Sequence, residues 1–102
     1  MARLVVLYPN PTDPDTFERR YREEHGPMVT ERMPGLRQFA AGRVVDPPAT
    51  AGGYSHFAEL TFDSVDDLRS ALDSDEGKAV VAHALEISTG GPMTVLVVED
   101  NA

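Results

Sequence analysis

The stretch YREEHGPMVTERMPGL, Tyr21 to Leu36, decides how the first half of the chain is read. Phe17 stands just before it, and Tyr21, His25, Met28 and Met33 follow at helical spacing. Gly26-Pro27, the two poorest helix formers, sits inside that pattern. The apolar row resumes beyond the interruption, so the segment reads as one bent helix that ends at Met33-Pro34-Gly35. Pro27 cannot donate to the carbonyl of Glu23 and its ring clashes with it. The bend therefore leaves a backbone polar group beside His25, on a face that should be buried.

Outward from this helix the other elements follow. Arg3 to Tyr8 is a β-branched apolar run closed by Pro9-Asn10-Pro11, a first strand expected to be buried on both faces. Asp13-Pro14 reads as an N-cap with proline at the first helical position. Residues 36–45, LRQFAAGRVV, alternate as a second strand, and Asp46 to Gly53 carries the composition of a loop. Tyr54 to Phe62 is a third strand. Its Tyr54, His56, Ala58, Leu60 and Phe62 point one way, and Ser55, Phe57, Glu59 and Thr61 the other. Ser64 with Asp67 caps a second helix along Val65, Leu68 and Leu72, and Ser74 restarts it along Val80, Ala84 and Ile87. Gly90-Gly91-Pro92 ends it, and Met93 to Val98 is the last strand.

The order β-α-β-β-α-β is that of the ferredoxin-like, split-βαβ motif, an α+β fold in which two helices cover one face of a four-stranded antiparallel sheet. Residues 1–102 read as one domain. The uncovered face carries Phe57 and wants a partner; packing two such sheets together predicts a homodimer.

Composition narrows the function. Of 102 residues, 41% are hydrophobic and 25% charged, the balance of an ordinary globular protein. The net charge of −8 argues against nucleic acid and anionic membrane as partners. No apolar run is long enough to span a bilayer, and Leu4-Val5-Val6-Leu7 is too short for a secretory signal, so the expected location is cytoplasmic. The absence of cysteine excludes disulfides, thiolate zinc sites and cysteine nucleophiles. Lys78 is the only lysine and falls in the polar first turn of a helix, a poor place for a Schiff base.

Three histidines remain. Phe17, Tyr21 and His25 follow one another at i, i+4 and form one row. His25 is either hydrogen-bonded to the backbone freed at the bend or an acid–base group in a gap beneath it. His56 shares its strand face with Leu60 and Phe62; it lines that gap or stands half-wet at the strand end. His83 shares a helical face with Val80 and Ala84. Spacings between the histidines match no metal-ligand signature, so no metal or other cofactor is expected. Glu59, mid-strand on the opposite face from His56, should meet an arginine or a hydroxyl across the dimer, with Arg37 and Arg43 on the neighbouring strand as candidates; a catalytic base is the sharper reading.

Taken together, Leu7-Tyr8-Pro9, Asp13-Pro14, Tyr21-x-x-x-His25-x-Pro27-Met28, Met33-Pro34-Gly35-Leu36, Ala58-Glu59-Leu60-x-Phe62-Asp63-Ser64, Ser74-x-Glu76-Gly77 and Thr94-Val95-Leu96-Val97 resemble the EthD family over nearly the whole chain. The resemblance implies a dimeric α+β barrel with two ferredoxin-like sheets face to face. It also implies an association with alkyl ether degradation, where the family's namesake accompanies a cytochrome P450. Related barrels include cofactor-independent monooxygenases, lactone isomerases, polyketide cyclases and haem proteins, several with a ligand pocket between helices and sheet. His25 and Pro27 fall on the family's His-x-Pro and Glu59 on its strand glutamate, while His83 departs from the aspartate more usual there.

The expectation is a small hydrophobic, oxygenated ligand bound between helices and sheet. His25 would transfer a proton and Tyr21 orient the ligand, with Phe17, Met28, His56 and Phe62 lining the pocket. The protein would then be an enzyme or an oxygenase auxiliary. The alternatives are a non-catalytic dimer that binds a ligand or an oxygenase partner, and a haem-binding barrel.

Overall fold

The computed structural model describes residues 1–45 and 53–101. The loop read over residues 46–53 lies outside the described residues, apart from Gly53. Strand β1 (Ala2–Pro9) is followed by helix α1 (Pro14–Arg20), a π-helical turn (Tyr21–His25) and α2 (Gly26–Arg32). Strands β2 (Gln38–Arg43) and β3 (Tyr54–Phe62), helices α3 (Val65–Asp73) and α4 (Asp75–Ile87), and β4 (Thr94–Glu99) complete the chain. The strands form one four-stranded sheet in the order β2-β3-β1-β4, with every pair antiparallel. This is the ferredoxin-like α+β arrangement, and its element boundaries lie within two residues of the expected ones.

Local chemistry accounts for the helix starts. Asp13 accepts from the Thr16 backbone N–H at 3.2 Å, and Pro14 takes the first helical position, where a missing N–H costs nothing. Ser64 accepts from Asp67 N at 3.0 Å, and Ser74 from Gly77 N at 3.0 Å. Ser74 also donates to the Ala71 carbonyl, so a single hydroxyl ends α3 and begins α4.

Register explains the core. Leu4 faces Leu60, Val6 faces Ala58, and Ala2 faces Phe62 across the central pair of strands. These six side chains point to the helices and are buried, and Phe17, Val29, Leu68, Val80 and Ile87 close over them. Each large apolar side chain buried here contributes roughly 1.5–3 kcal/mol. Strand β1 was expected to be buried on both faces. It alternates instead, with Ala2, Leu4, Val6 and Tyr8 buried while Arg3, Val5 and Leu7 are half-covered. The helices lie on one side only. The other side presents Val5, Leu7, Phe57 and Val98, each partly exposed, with Leu96 48% exposed.

Glu59 lies on that second face, and its carboxylate meets Arg3 of the same chain at 3.5 Å. Within the chain Val5 of β1 and Ala40 of β2 stand opposite Glu59, and Arg3, two residues along β1 from Val5, is the arginine that reaches it. Arg37 pairs with Asp63, and Arg43 faces Glu18. No helix of the described residues is long and apolar enough to cross a membrane.

The α3–α4 corner depends on close backbone approach. A Cβ on Gly77 would lie 1.8 Å from the Ala71 carbonyl oxygen, which no local adjustment of a side chain can relieve. Gly77→Ala should therefore destabilise the protein by roughly 1–3 kcal/mol, the usual cost of forced over-packing. For a chain of this size that is a fall in Tm of about 4–8 °C per kcal/mol. An unchanged melting curve would show that the corner is looser than this.

Candidate functional site

The interrupted helix is not broken. Gly26 N–H bonds to the Tyr21 carbonyl five residues back, which makes Tyr21–His25 a π turn between two α segments. The wider turn falls just where Pro27 has no N–H to give, so the chain passes the proline without an α-type bond to Glu23. Gly26 suits the position, since a Cβ there would come within 3.3 Å of the same Tyr21 oxygen.

The π turn also sets the facing of the side chains. In a regular α-helix a four-residue step overshoots one turn by about 40°, so a row at that spacing spirals away from the sheet. A turn that takes up an extra residue winds the drift back. Phe17, Tyr21, His25, Val29 and Met33, each four residues from the last, therefore stay on the sheet side. Met28, expected in that row, is displaced from it, and Val29 takes the buried position.

Beneath the row lies an apolar cavity of about 180 Å³. Leu4, Val6, Ala58 and Leu60 form its floor, Val29, Met33, Leu72 and Val80 its sides, and Tyr8, Tyr21 and His25 its polar-tipped wall. Tyr21 and His25 thus reach the cavity together, with ring centroids 5.1 Å apart. The other four expected lining residues lie elsewhere. Phe17 is core, packed edge-on against Tyr8 with centroids 5.2 Å apart. Phe62 is fully buried beyond the cavity floor. Met28 borders an open surface hollow with Glu24, Glu31 and His83.

His56 faces a second, smaller hollow of about 130 Å³, shared with Glu18, Arg22 and Arg43. Its Nε2 meets Glu18 at 2.7 Å and its Nδ1 meets the Ser55 hydroxyl at 2.7 Å, while its ring rests on Phe17. Register places it opposite Tyr8, one pair beyond the cavity floor. Tyr21 lines both spaces and stands between them.

His25 does not bond to the backbone freed by Pro27, as the sequence suggested. Its Nδ1 lies 2.9 Å from Nδ1 of His83 on α4. The two ring planes are within 7° of parallel with centroids 5.1 Å apart, so the rings meet edge to edge in an N–H···N bond. His83 Nε2 in turn lies 3.1 Å from the Glu24 carboxylate. Arg20 holds the same carboxylate at 3.0 Å and also pairs with Glu86. The tautomers follow from the partners. A carboxylate only accepts, so neutral His83 carries its proton on Nε2 and offers Nδ1 as acceptor. His25 must then donate from Nδ1, which leaves its Nε2 as a bare base.

Burial shapes the chemistry of the wall. His25 is 3% exposed, and desolvation, followed by the neighbouring His83, lowers its pKa to about 4. It is therefore neutral at pH 7. The Tyr8 phenol is pushed up to about 12 by burial. Tyr21 is pushed higher still by burial and by the Tyr8 phenol that its hydroxyl faces, and that buried hydroxyl makes no hydrogen bond of good geometry among the described residues. Arg20, and after it His83, holds the Glu24 carboxylate below its ordinary range. Among the described residues no cluster of three or more His, Asp or Glu could hold a metal ion.

Tyr8 was not singled out for this wall, nor His83 for the contact behind it. Tyr8 was legible from the even-numbered alternation of β1. His83 carried two signals, its helical face shared with Val80 and Ala84 and its departure from the family pattern.

Comparison with known proteins now places the chain. The family model described as the EthD domain matches residues 9–86. The chain belongs to the EthD family. It is 30% identical over 91 residues to an uncharacterised 11.0 kDa protein of the thcB–thcC intergenic region in Rhodococcus erythropolis, covering 89% of this chain and 87% of that one. It superposes on the crystal structure of an EthD family protein from Bacillus halodurans with a TM-score of 0.87 and 30% identity over 98% of both chains. A dimeric ferredoxin-like protein from Jannaschia shares the fold at a TM-score of 0.73, with 14% identity over 97% of this chain and 98% of its own.

The depressed pKa of His25 has a sign that stability measurements can read. Below its ordinary value of 6.5 the unfolded chain binds a proton that folded His25 refuses until about pH 4. Stability should therefore fall as pH drops through that window, by about 3 kcal/mol from this group alone. In urea unfolding at pH 7, 5.5 and 4, His25→Leu should show a flatter pH dependence than the parent chain. Parallel curves would contradict a buried, neutral His25.

Proposed function

We propose that this EthD family protein binds a small, mostly apolar compound bearing one oxygen function in the cavity under the π turn, and that His25 acts on it as a base. The observation that carries this reading is an apolar space whose wall holds a buried hydroxyl without a well-formed hydrogen bond, Tyr21, beside a buried neutral imidazole. A buried polar group with no partner is costly, on the order of 1–3 kcal/mol, and a ligand oxygen at that point relieves the cost. Size sets the class of ligand. An apolar cavity of about 150 Å³ holds a molecule such as benzene, so about 180 Å³ suits a one-ring compound. A porphyrin is far larger than this space, and nothing in the geometry favours haem.

As a base, neutral His25 would take a proton from an acidic C–H or O–H of the ligand at Nε2. Tyr21 would donate to the oxygen on which negative charge develops. Such chemistry suits an enzyme or an oxygenase auxiliary acting on an oxygenated breakdown product. The competing reading is a binder without turnover.

Phenol and benzene form a matched pair of probes. Both should raise Tm when added well above their Kd. Phenol should bind more tightly by about 2–10-fold, the worth of one hydrogen bond, and Tyr21→Phe should remove that difference. No calorimetric binding of either compound would overturn the cavity reading. With a turned-over substrate, His25→Ala should lower the rate at least about a hundredfold; unchanged turnover would favour the binder.

The open sheet face is the expected seat of a second copy. Val5, Leu7, Phe57, Leu96 and Val98 make it apolar, and similar proteins of this fold are described as dimeric. Sedimentation at micromolar concentration should give twice the mass of 11.1 kDa, and Leu96→Asp should shift the protein toward monomer. A monomeric parent chain would end the barrel proposal.

A further inference from the structure

The edge-to-edge histidines join two separate spaces. His25 lines the apolar cavity, and His83 lines the open hollow on the outer side of α2 and α4, beside Glu24, Glu31 and Arg32. The Nδ1–Nδ1 distance of 2.9 Å connects them, and the 3.1 Å contact to Glu24 continues the line to the surface. We infer that His25, His83 and Glu24 form a proton relay between the apolar cavity and the outer hollow. The inference rests on the base role proposed for His25 and says where its proton goes.

The step balances within the chain. A ligand C–H or O–H bond breaks, its electron pair stays on the ligand, and an N–H bond forms at His25 Nε2. The N–H bond at His25 Nδ1 breaks, and one forms at His83 Nδ1. His25 ends neutral with its proton on Nε2, and His83 ends as an imidazolium facing Glu24. Running the relay backward returns a proton from His25 Nε2 to the ligand, at the same or another atom. The net chemistry is a proton shift with no oxidant or co-reactant.

Electrostatics place the charge on the outer ring. A cation on His25 would be stranded among apolar side chains. The His83 side chain is 16% exposed and has the Glu24 carboxylate at its far nitrogen. Other charged groups around it are Arg20 and Glu86, paired with each other, and Glu31 and Arg32 across the hollow. Arg20 balances Glu24 in the resting state without reaching His83. His83 is a relay residue and does not touch the cavity, while Glu24 positions its tautomer.

The relay ties the protonation of one ring to the tautomer of the other, and this can be read without any ligand. Long-range proton–nitrogen NMR spectra of the 15N-labelled full chain should show His25 protonated at Nδ1 and His83 at Nε2 near neutral pH. The two Nδ1 atoms should show a scalar coupling across the hydrogen bond. Glu24→Ala, which removes the acceptor at His83 Nε2, should leave both rings as tautomer mixtures that change together. In His83→Phe, checked for fold by circular dichroism, His25 should lose its fixed Nδ1–H tautomer. A His25 tautomer unchanged in both variants, or no coupling between the nitrogens, would overturn the relay. Failure of phenol and benzene to bind would instead count against the cavity reading alone, because these spectra need no ligand.

Discussion

Pro27 has no N–H, and the chain must pass it without opening the helix that covers the sheet. The π turn over Tyr21–His25 meets that constraint, and the site depends on the way it does so. One turn of widened helix keeps five residues at four-residue spacing over the sheet, so an aromatic ring, a phenol and an imidazole line up above the strands. A regular α-helix over the same residues would carry His25 off the sheet or replace Val29 by Met28 as the buried contact. A small conformational device thus puts two polar tips against an apolar floor.

Burial of those tips has a consequence for charge. Desolvation penalises any ion under the helix, and for this reason both phenols are driven up and His25 is driven down. The neutral imidazole is held by an edge-to-edge bond to His83, whose other nitrogen reaches an ionised carboxylate that Arg20 also grips. Polar groups here form a single line from core to surface, with one end anchored by ordinary exposed ion pairs. Those surface pairs contribute little stability by themselves. Their value lies in fixing which nitrogen of each ring carries the proton.

The sheet has two unlike faces, and each suits a different task. The helix-covered face is packed over β1 and β3 apart from the cavity and the His56 hollow, while Val95 and Val97 on the edge strand β4 stay half-exposed. The bare face gathers half-exposed valine, leucine and phenylalanine side chains that a lone chain leaves in water. Such a face is common to small ferredoxin-like domains, in which one layer of helices cannot cover both sides of the sheet.

Most of the fold was legible in the residues, because it follows from local rules. The alternation in β3 and the caps at Asp13, Ser64 and Ser74 each act within a few residues, and so does the stop at Gly90-Gly91-Pro92. His25 and Tyr21 were legible as a pair for the same reason, four residues apart on one helix. Tertiary structure decided the rest. It put Val29 in place of Met28, because the effect of Pro27 on helical phase depends on how the turn widens against the sheet. It sent His56 to a separate hollow with Glu18, because the register of β3 against β1 sets which strand residues lie under which turn of helix. It brought His83 to His25 across 58 residues of chain, and gave Glu59 to Arg3 of the same chain. Contacts of that kind come from packing between distant elements, and no spacing along a single segment encodes them.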